Sequence, residues 1–343
     1  MIKDKIHKLP KVLLHDHLDG GLRVNTIIEL AKADNVKLPY QDEANLQNWF
    51  YKEFSSKDFD KCFKSFDISG AVMQSAKNIE RVAFESAEDH AKDNVIYAEA
   101  RFCPYFHLSQ GLNYNEIIES ISSGFERAKE QYGIETGILI CGMYHLDDAT
   151  NLEMAKLCTK HKKIVGYYFA GMDIRGNLSS TQSKIIEFLN KNNIKFTAHS
   201  GEFSNIDNII DAINNGAKRL GHACNLLKTE DENILEKTIC LIKEKNIHIE
   251  SNPSSNIALG IIDDFKNHPY KKMYDMEISI ALNTDDRLML KNLSLTDEYF
   301  NAHRENYLSL TDMVTMNINA ANSAFTEPHL KQKIIKTIKD FDY

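Results

Sequence analysis

His15-Asp16-His17 closes a short apolar run near the start of the chain. On a strand the side chains alternate, so both imidazoles point one way, about 6.5–7 Å apart along the backbone. Two such rings can converge on one ion, each nitrogen about 2.0–2.1 Å from it. An HxH pair is a weak signal by itself, but residues of the same kind close three other apolar runs. One run enters His199-Ser200-Gly201-Glu202, another Gly221-His222, and the third Asn283-Thr284-Asp285-Asp286. Taken singly, each is as readily a cap or a packing residue. Four strand ends that all offer histidine or carboxylate to one face suit zinc or a similar divalent ion, with a further position open for water.

Such residues need a frame that gathers separate strand ends. Eight Val/Ile/Leu/Tyr-rich runs are strand candidates, at residues 12–17, 95–102, 137–144, 164–172, 194–199, 217–222, 247–251 and 278–283. They are mostly apolar on both faces, as strands between a core and a helical coat should be. The intervening stretches carry helical spacing, as at Val72, Ala76, Ile79, Val82, Ala83 and Ala87. Regular alternation of strand and helix argues for a parallel α/β sheet. Eight such units in a chain of this length fit a closed (β/α)8 TIM barrel, read as one domain over residues 1–343. A doubly wound sheet is the weaker reading, because no GxGxxG or GxxxxGK[ST] loop follows any run.

One connection departs from the pattern. After a first helix near residues 25–35, the stretch 40–66 holds Trp49, Phe50, Tyr51, Phe54, Phe59, Phe63 and Phe66. Loops after barrel strands surround the active face, so these aromatics predict a helical lid over residues 40–68, a small satellite core, or both. From Leu310 onward the chain reads as extra C-terminal helices.

Composition narrows the class. The 343 residues are 43% hydrophobic, and 41 Lys+Arg against 49 Asp+Glu leave a net charge of −8 with no basic block. An electropositive surface for nucleic acid is therefore not expected. The apolar run after the charged N-terminus is broken at once by His15, too short for a signal peptide or membrane span, so the expected location is cytoplasmic. No CxxC pair occurs among Cys62, Cys103, Cys141, Cys158, Cys224 and Cys240, which read as reduced, mostly buried thiols. Nothing in the pattern specifies an oligomeric state.

Taken in order, His15-Asp16-His17-Leu18-Asp19-Gly20, His199-Ser200-Gly201-Glu202, Leu220-Gly221-His222 and Asn283-Thr284-Asp285-Asp286 resemble the adenosine deaminase family. Further echoes are Tyr97-Ala98-Glu99-Ala100-Arg101-Phe102, Gly171-Met172-Asp173-Ile174-Arg175-Gly176 and Asn317-Ile318-Asn319-Ala320-Ala321, so nearly the whole chain takes part. The resemblance implies one zinc ion per chain on His15, His17, His199 and Asp285. It implies Glu202 as proton donor to the purine and His222 as the residue that orients or deprotonates the attacking water. Asp19, Gly176 and Asp286, with His17, would hold a purine nucleoside. The implied activity is hydrolytic deamination of adenosine and 2′-deoxyadenosine to inosine and ammonia, a purine-salvage step.

Four positions depart from the family's habit. Ser200 stands for Ala, Ala223 for Gly, Arg287 for Pro, and Asn252-Pro253-Ser254-Ser255 lacks a cysteine before its proline. None removes an implied ligand or the acid, and Arg287 bears on substrate preference. The alternatives are deamination of adenine or a modified adenosine on the same barrel, and a non-catalytic protein stabilised by metal, which would not need Glu202 or His222. A two-metal hydrolase would call for a bridging lysine at the end of the fourth strand, where Asp173 follows Met172 instead. A cytidine-deaminase site is disfavoured, since H-x-E followed by P-C-x-x-C is missing.

Overall fold

The computed structural model describes residues 1–173 and 177–342. Eight parallel strands follow one another around a single sheet in chain order: β1 Lys11–His17, β2 Val95–Phe102, β3 Glu135–Met143, β4 Ile164–Ala170, β5 Phe196–Ser200, β6 Arg219–His222, β7 His248–Ser251 and β8 Ile280–Leu282. Helices cross between successive strands, as parallel pairing requires. The architecture is the (β/α)8 barrel expected from the alternation, and each strand lies within a few residues of its predicted run.

The seam between β8 and β1 is closed mainly by side chains. Asn283 Oδ1 accepts from Leu14 N (2.9 Å) and His15 N (3.0 Å), and Asn317 Oδ1 accepts from Val12 N (2.8 Å). A backbone bridge also joins Asp16 to Asp285, with His17 N donating to Asp285 O (3.2 Å) and Asp285 N to His15 O (3.0 Å). Buried backbone donors must find partners. Here the donors of the histidine-bearing strand find them on the acid-bearing turn, so closing the barrel also aligns the site.

The interior differs from the doubly apolar strands expected. Glu99, Arg101, Arg219 and Glu250 are fully buried. Arg219 pairs with Glu99 and with Glu250 at 2.6 Å each, and Arg101 Nη2 reaches Glu250 at 2.9 Å. Charges can stay inside because each carboxylate meets a guanidinium.

The aromatic insert forms two helices, Glu43–Phe54 and Phe59–Ala71, started by Asp42 and Asp58 caps. Its aromatics divide between the core and the cavity, and among the described residues no separate satellite core forms. Leu46, Phe50 and Phe54 join the main core, while Phe54, Cys62, Phe63 and Phe66 line the cavity described below. The C-terminal helices Leu310–Ser323 and Pro328–Lys339 follow as expected, and a further helix, Leu295–Asn306, precedes them. Among the described residues no helix is long and apolar enough to cross a membrane.

Candidate active site

A cavity of about 650 Å³ lies at the C-terminal ends of the strands, lined by His17, Asp19, His199, Glu202, Asp285 and Asp286 together with residues from the insert and the loops after β2, β3 and β4. This is the face on which barrel enzymes build active sites. Its described lining is largely apolar and includes no lysine or arginine.

Gathering the polar groups here costs the backbone some strain. His222, Ala223 and Asp285 take φ of 66°, 49° and 58°, a left-handed region that non-glycine residues occupy at about 1–2 kcal/mol each. Glycine at 223 would be the unstrained choice. Gly20 is needed for another reason, since a Cβ on it would lie 1.9 Å from Asp286 Oδ1.

The predicted ligands converge. Donor atoms of His15, His17 and His199 lie within 4.8 Å of one another, as do those of His15, His222 and Asp285. Asp285 Oδ1 sits 3.1 Å from His15 Nε2 and 3.5 Å from His17 Nε2. Two ligands each about 2.1 Å from a common ion can be up to about 4.2 Å apart, so these spacings suit one shared cation. Asp285 Oδ1 is also buried and makes no hydrogen bond, as suits an acceptor that faces a cation. The donor set therefore fits a divalent ion.

Outer partners orient the rings. His15 Nδ1 faces Glu250 Oε2 (2.9 Å) and His199 Nδ1 faces the Gly171 carbonyl (2.9 Å), so each ring is held from Nδ1 and turns Nε2 inward. Burial keeps His17, His199 and His222 neutral, pulling their pKa values down, that of His199 to about 4. Deprotonated imidazole is the form that ligates metal.

The buried carboxyls are sorted by charge. Burial would raise Asp285, but the imidazoles beside it, foremost His15 with Nε2 at 3.1 Å, outweigh that and hold the group well below the usual range. Its neighbour Asp286 goes the other way, pushed well up by burial and by the charges of Asp285 and Asp19. Glu202 is likewise raised by burial and by Asp285 and Asp173. Asp19 is raised by burial to about 7.

Asp173 and Glu250 carry structural duties the sequence analysis did not assign. Asp173 accepts from the backbone N–H groups of Glu202 (3.2 Å), Phe203 (2.9 Å) and Ser204 (3.1 Å), fixing the loop that bears Glu202. Glu250 joins His15 to Arg101 and Arg219. Glu250→Gln is expected to weaken divalent-metal affinity about 10- to 100-fold and to cost about 3–5 kcal/mol of stability by breaking a buried pair. Chelator competition and denaturant melts measure both, and unchanged metal affinity would detach Glu250 from the donor cluster.

Arg287 does not line the cavity. Its guanidinium turns toward Asp16 Oδ1 (3.3 Å) and donates to the Gly21 carbonyl (3.1 Å), tying the turn that bears Asp19 to the Asp pair. Gly176 lies outside the described residues.

Comparison with known proteins agrees with the geometry. Residues 10–341 match the family model described as adenosine deaminase. A Clostridium botulinum protein named adenosine deaminase is 33% identical over 97% of this chain and 99% of its own. Among solved structures, an adenine deaminase from Arthrobacter aurescens superposes with a TM-score of 0.87 over 97% of this chain and 98% of its own, at 19% identity, a likeness of fold alone. An Arabidopsis N6-mAMP deaminase gives a TM-score of 0.85 at 25% identity, over 98% of this chain and 100% of its own.

Proposed function

The chain belongs to the adenosine deaminase family, and on that premise we propose that it is a zinc-dependent hydrolase converting adenosine, and 2′-deoxyadenosine, to inosine and ammonia. The observation that carries this reading is the sorting of Asp285, Asp286 and Glu202 within one cavity. One ionised carboxylate among histidines suits a cation; two neutral carboxyls suit the basic nitrogens of a purine. Environments that push neighbouring carboxyls apart mark acid and base roles.

His15, His17, His199 and Asp285 would hold one zinc ion. Bound there, zinc supplies Lewis acidity, which brings the pKa of water from 15.7 to about 7 and allows hydroxide at neutral pH. Glu202 in its neutral form gives a proton to the ring nitrogen beside the carbon under attack, which makes that carbon electrophilic. His222 orients or deprotonates the attacking water. Asp286 donates to another ring nitrogen and fixes the purine plane. The leaving group is ammonia. The inserted helices act as a lid that keeps bulk water away, and the chain works as one domain.

A nucleoside suits the cavity better than a nucleotide. Asp19 lies two residues beyond His17 with Oδ1 buried and without a hydrogen-bond partner, poised for the sugar 5′-hydroxyl. A phosphate would meet acids and, among the described residues, no lysine or arginine. A hydrogen bond to a charged group contributes about 1.5–3 kcal/mol, or roughly 10- to 150-fold. Asp19→Ala is expected to lose that factor in kcat/KM for adenosine while its rate with 5′-deoxyadenosine barely changes. Equal losses on both substrates would remove the 5′-hydroxyl contact from the account.

A further inference from the structure

The turn that carries Asp19 is held to the loop after β8 through both of its glycines. Leu288 N donates to Gly20 O (2.9 Å), and Arg287 Nη2 donates to Gly21 O (3.1 Å). Gly20 also lies directly against Asp286, where a Cβ would fall 1.9 Å from Oδ1. Arg287 is buried, and its Nε forms an ion pair with Asp16 Oδ1 (3.3 Å). Asp16 is fixed in turn by Thr284 Oγ1 (2.9 Å) and faces His90 Nε2 (3.0 Å). The loop after β8 is a firm base for these contacts. The backbone bridge between Asp285 and Asp16 anchors it, and Gln47 Nε2 on the helix Glu43–Phe54 donates to Leu288 O (2.7 Å). The bonds of the Asp19 turn to its own strand end are local, Gly20 N to His17 O (3.2 Å) and Gly21 N to Leu18 O (3.4 Å).

We propose that Arg287 is a positioning residue for substrate recognition: its guanidinium clamps the Asp19 turn to the loop of Asp286 and so sets how strongly the site prefers a purine nucleoside with a free 5′-hydroxyl. This rests on the reading of Asp19 and Asp286 given above, in which one meets the sugar and the other the purine. A rigid link between the two fixes the span that a ligand must match. A hydrogen bond to the 5′-hydroxyl weakens steeply as its distance and angle leave their ideal values, so slack in the turn costs selectivity first. The planar fork addresses Asp16 and the Gly21 carbonyl in fixed directions at once. A lysine ammonium on its flexible stem is a single point of charge and cannot hold both in that geometry. Arg287 acts without touching substrate, since it is not among the residues that line the cavity.

The ratio of kcat/KM for adenosine to that for 5′-deoxyadenosine reads the clamp. In wild type the Asp19 contact should set it at roughly 10- to 150-fold. Arg287→Lys keeps a positive charge beside Asp16, so fold and metal content should survive. The ratio should nevertheless fall about 2- to 12-fold, as for the loss of one ordinary hydrogen bond. Arg287→Met removes both contacts and should bring the ratio further toward one. In an Asp19→Ala background Arg287→Lys should leave the ratio where it is, because the two residues act through one contact. A purely structural role would slow both substrates together and keep the wild-type ratio. That result, or an equal change in the ratio with Asp19 absent, would overturn the proposal. The affinities of inosine and 5′-deoxyinosine give the same ratio without turnover. An inactive wild type in which Arg287→Lys still narrows the affinity ratio would sink the deaminase reading and leave the clamp standing. A wild type that treats each pair alike would remove the Asp19 contact and the clamp together.

Discussion

Glu202→Gln is expected to keep its fold and its metal while kcat falls by about 10²–10⁴, the range for a general acid, which corresponds to roughly 2.7–5.4 kcal/mol of barrier. The substitution is nearly isosteric, and Gln can still accept from Asn256 Nδ2 through its carbonyl oxygen, so the contact at 3.0 Å survives. What disappears is a proton that can be given away. Asp173 would continue to hold the loop, because its bonds go to backbone N–H groups. Binding should change little, so the loss belongs in kcat and not in KM. A purified variant with full metal content and near-normal kcat would move the acid role to another group, with Asp286 the first candidate.

Stripping the metal should abolish turnover, and one equivalent of zinc per chain should restore it. The same addition should raise thermal stability, by about 2.7 kcal/mol when free metal reaches 100 times its dissociation constant. Asp285→Ala removes the one carboxylate among the proposed ligands, and neither activity nor the thermal shift should return at the zinc concentration that restores wild type. The apo variant is not expected to be grossly unstable, because the backbone bridge at Asp16 and the Asn283 contacts still close the barrel. Full activity after verified metal removal would refute the metal's part in the chemistry. A requirement for two equivalents would refute the mononuclear site.

The parts of this site that were legible in the sequence are those announced by local pattern. An apolar run that stops at a histidine or an acid is visible at His17, His199, His222 and Asp285, and eight runs separated by helical spacing leave few folds to choose from. Glu99, Arg101, Arg219 and Glu250 were not assigned a function, because a charge in a strand reads locally as a solvent-facing position. Only closure of the barrel turns four such positions inward onto one another and onto His15. Asn256 was hidden for a similar reason. It stands one residue past the Asn252-Pro253-Ser254-Ser255 stretch with no local pattern to mark it, and its partners Glu202, His222 and His268 come from three other segments. The left-handed turns at His222 and Asp285 had no glycine to mark them. The insert's aromatics divide between the main core and the cavity lining, which local pattern could not apportion.

The most direct test of the whole account is to give the zinc-loaded wild type adenosine, adenine and AMP separately, and to follow ammonia release together with the absorbance change of the purine. The account predicts one ammonia and one inosine per adenosine consumed, with kcat/KM for adenosine well above that for adenine and further still above that for AMP, whose phosphate would face Asp19. Turnover of adenine or AMP as fast as adenosine would contradict the nucleoside assignment and leave only purine deamination in place. No ammonia from any of the three, with one zinc bound per chain, would contradict the proposed function itself.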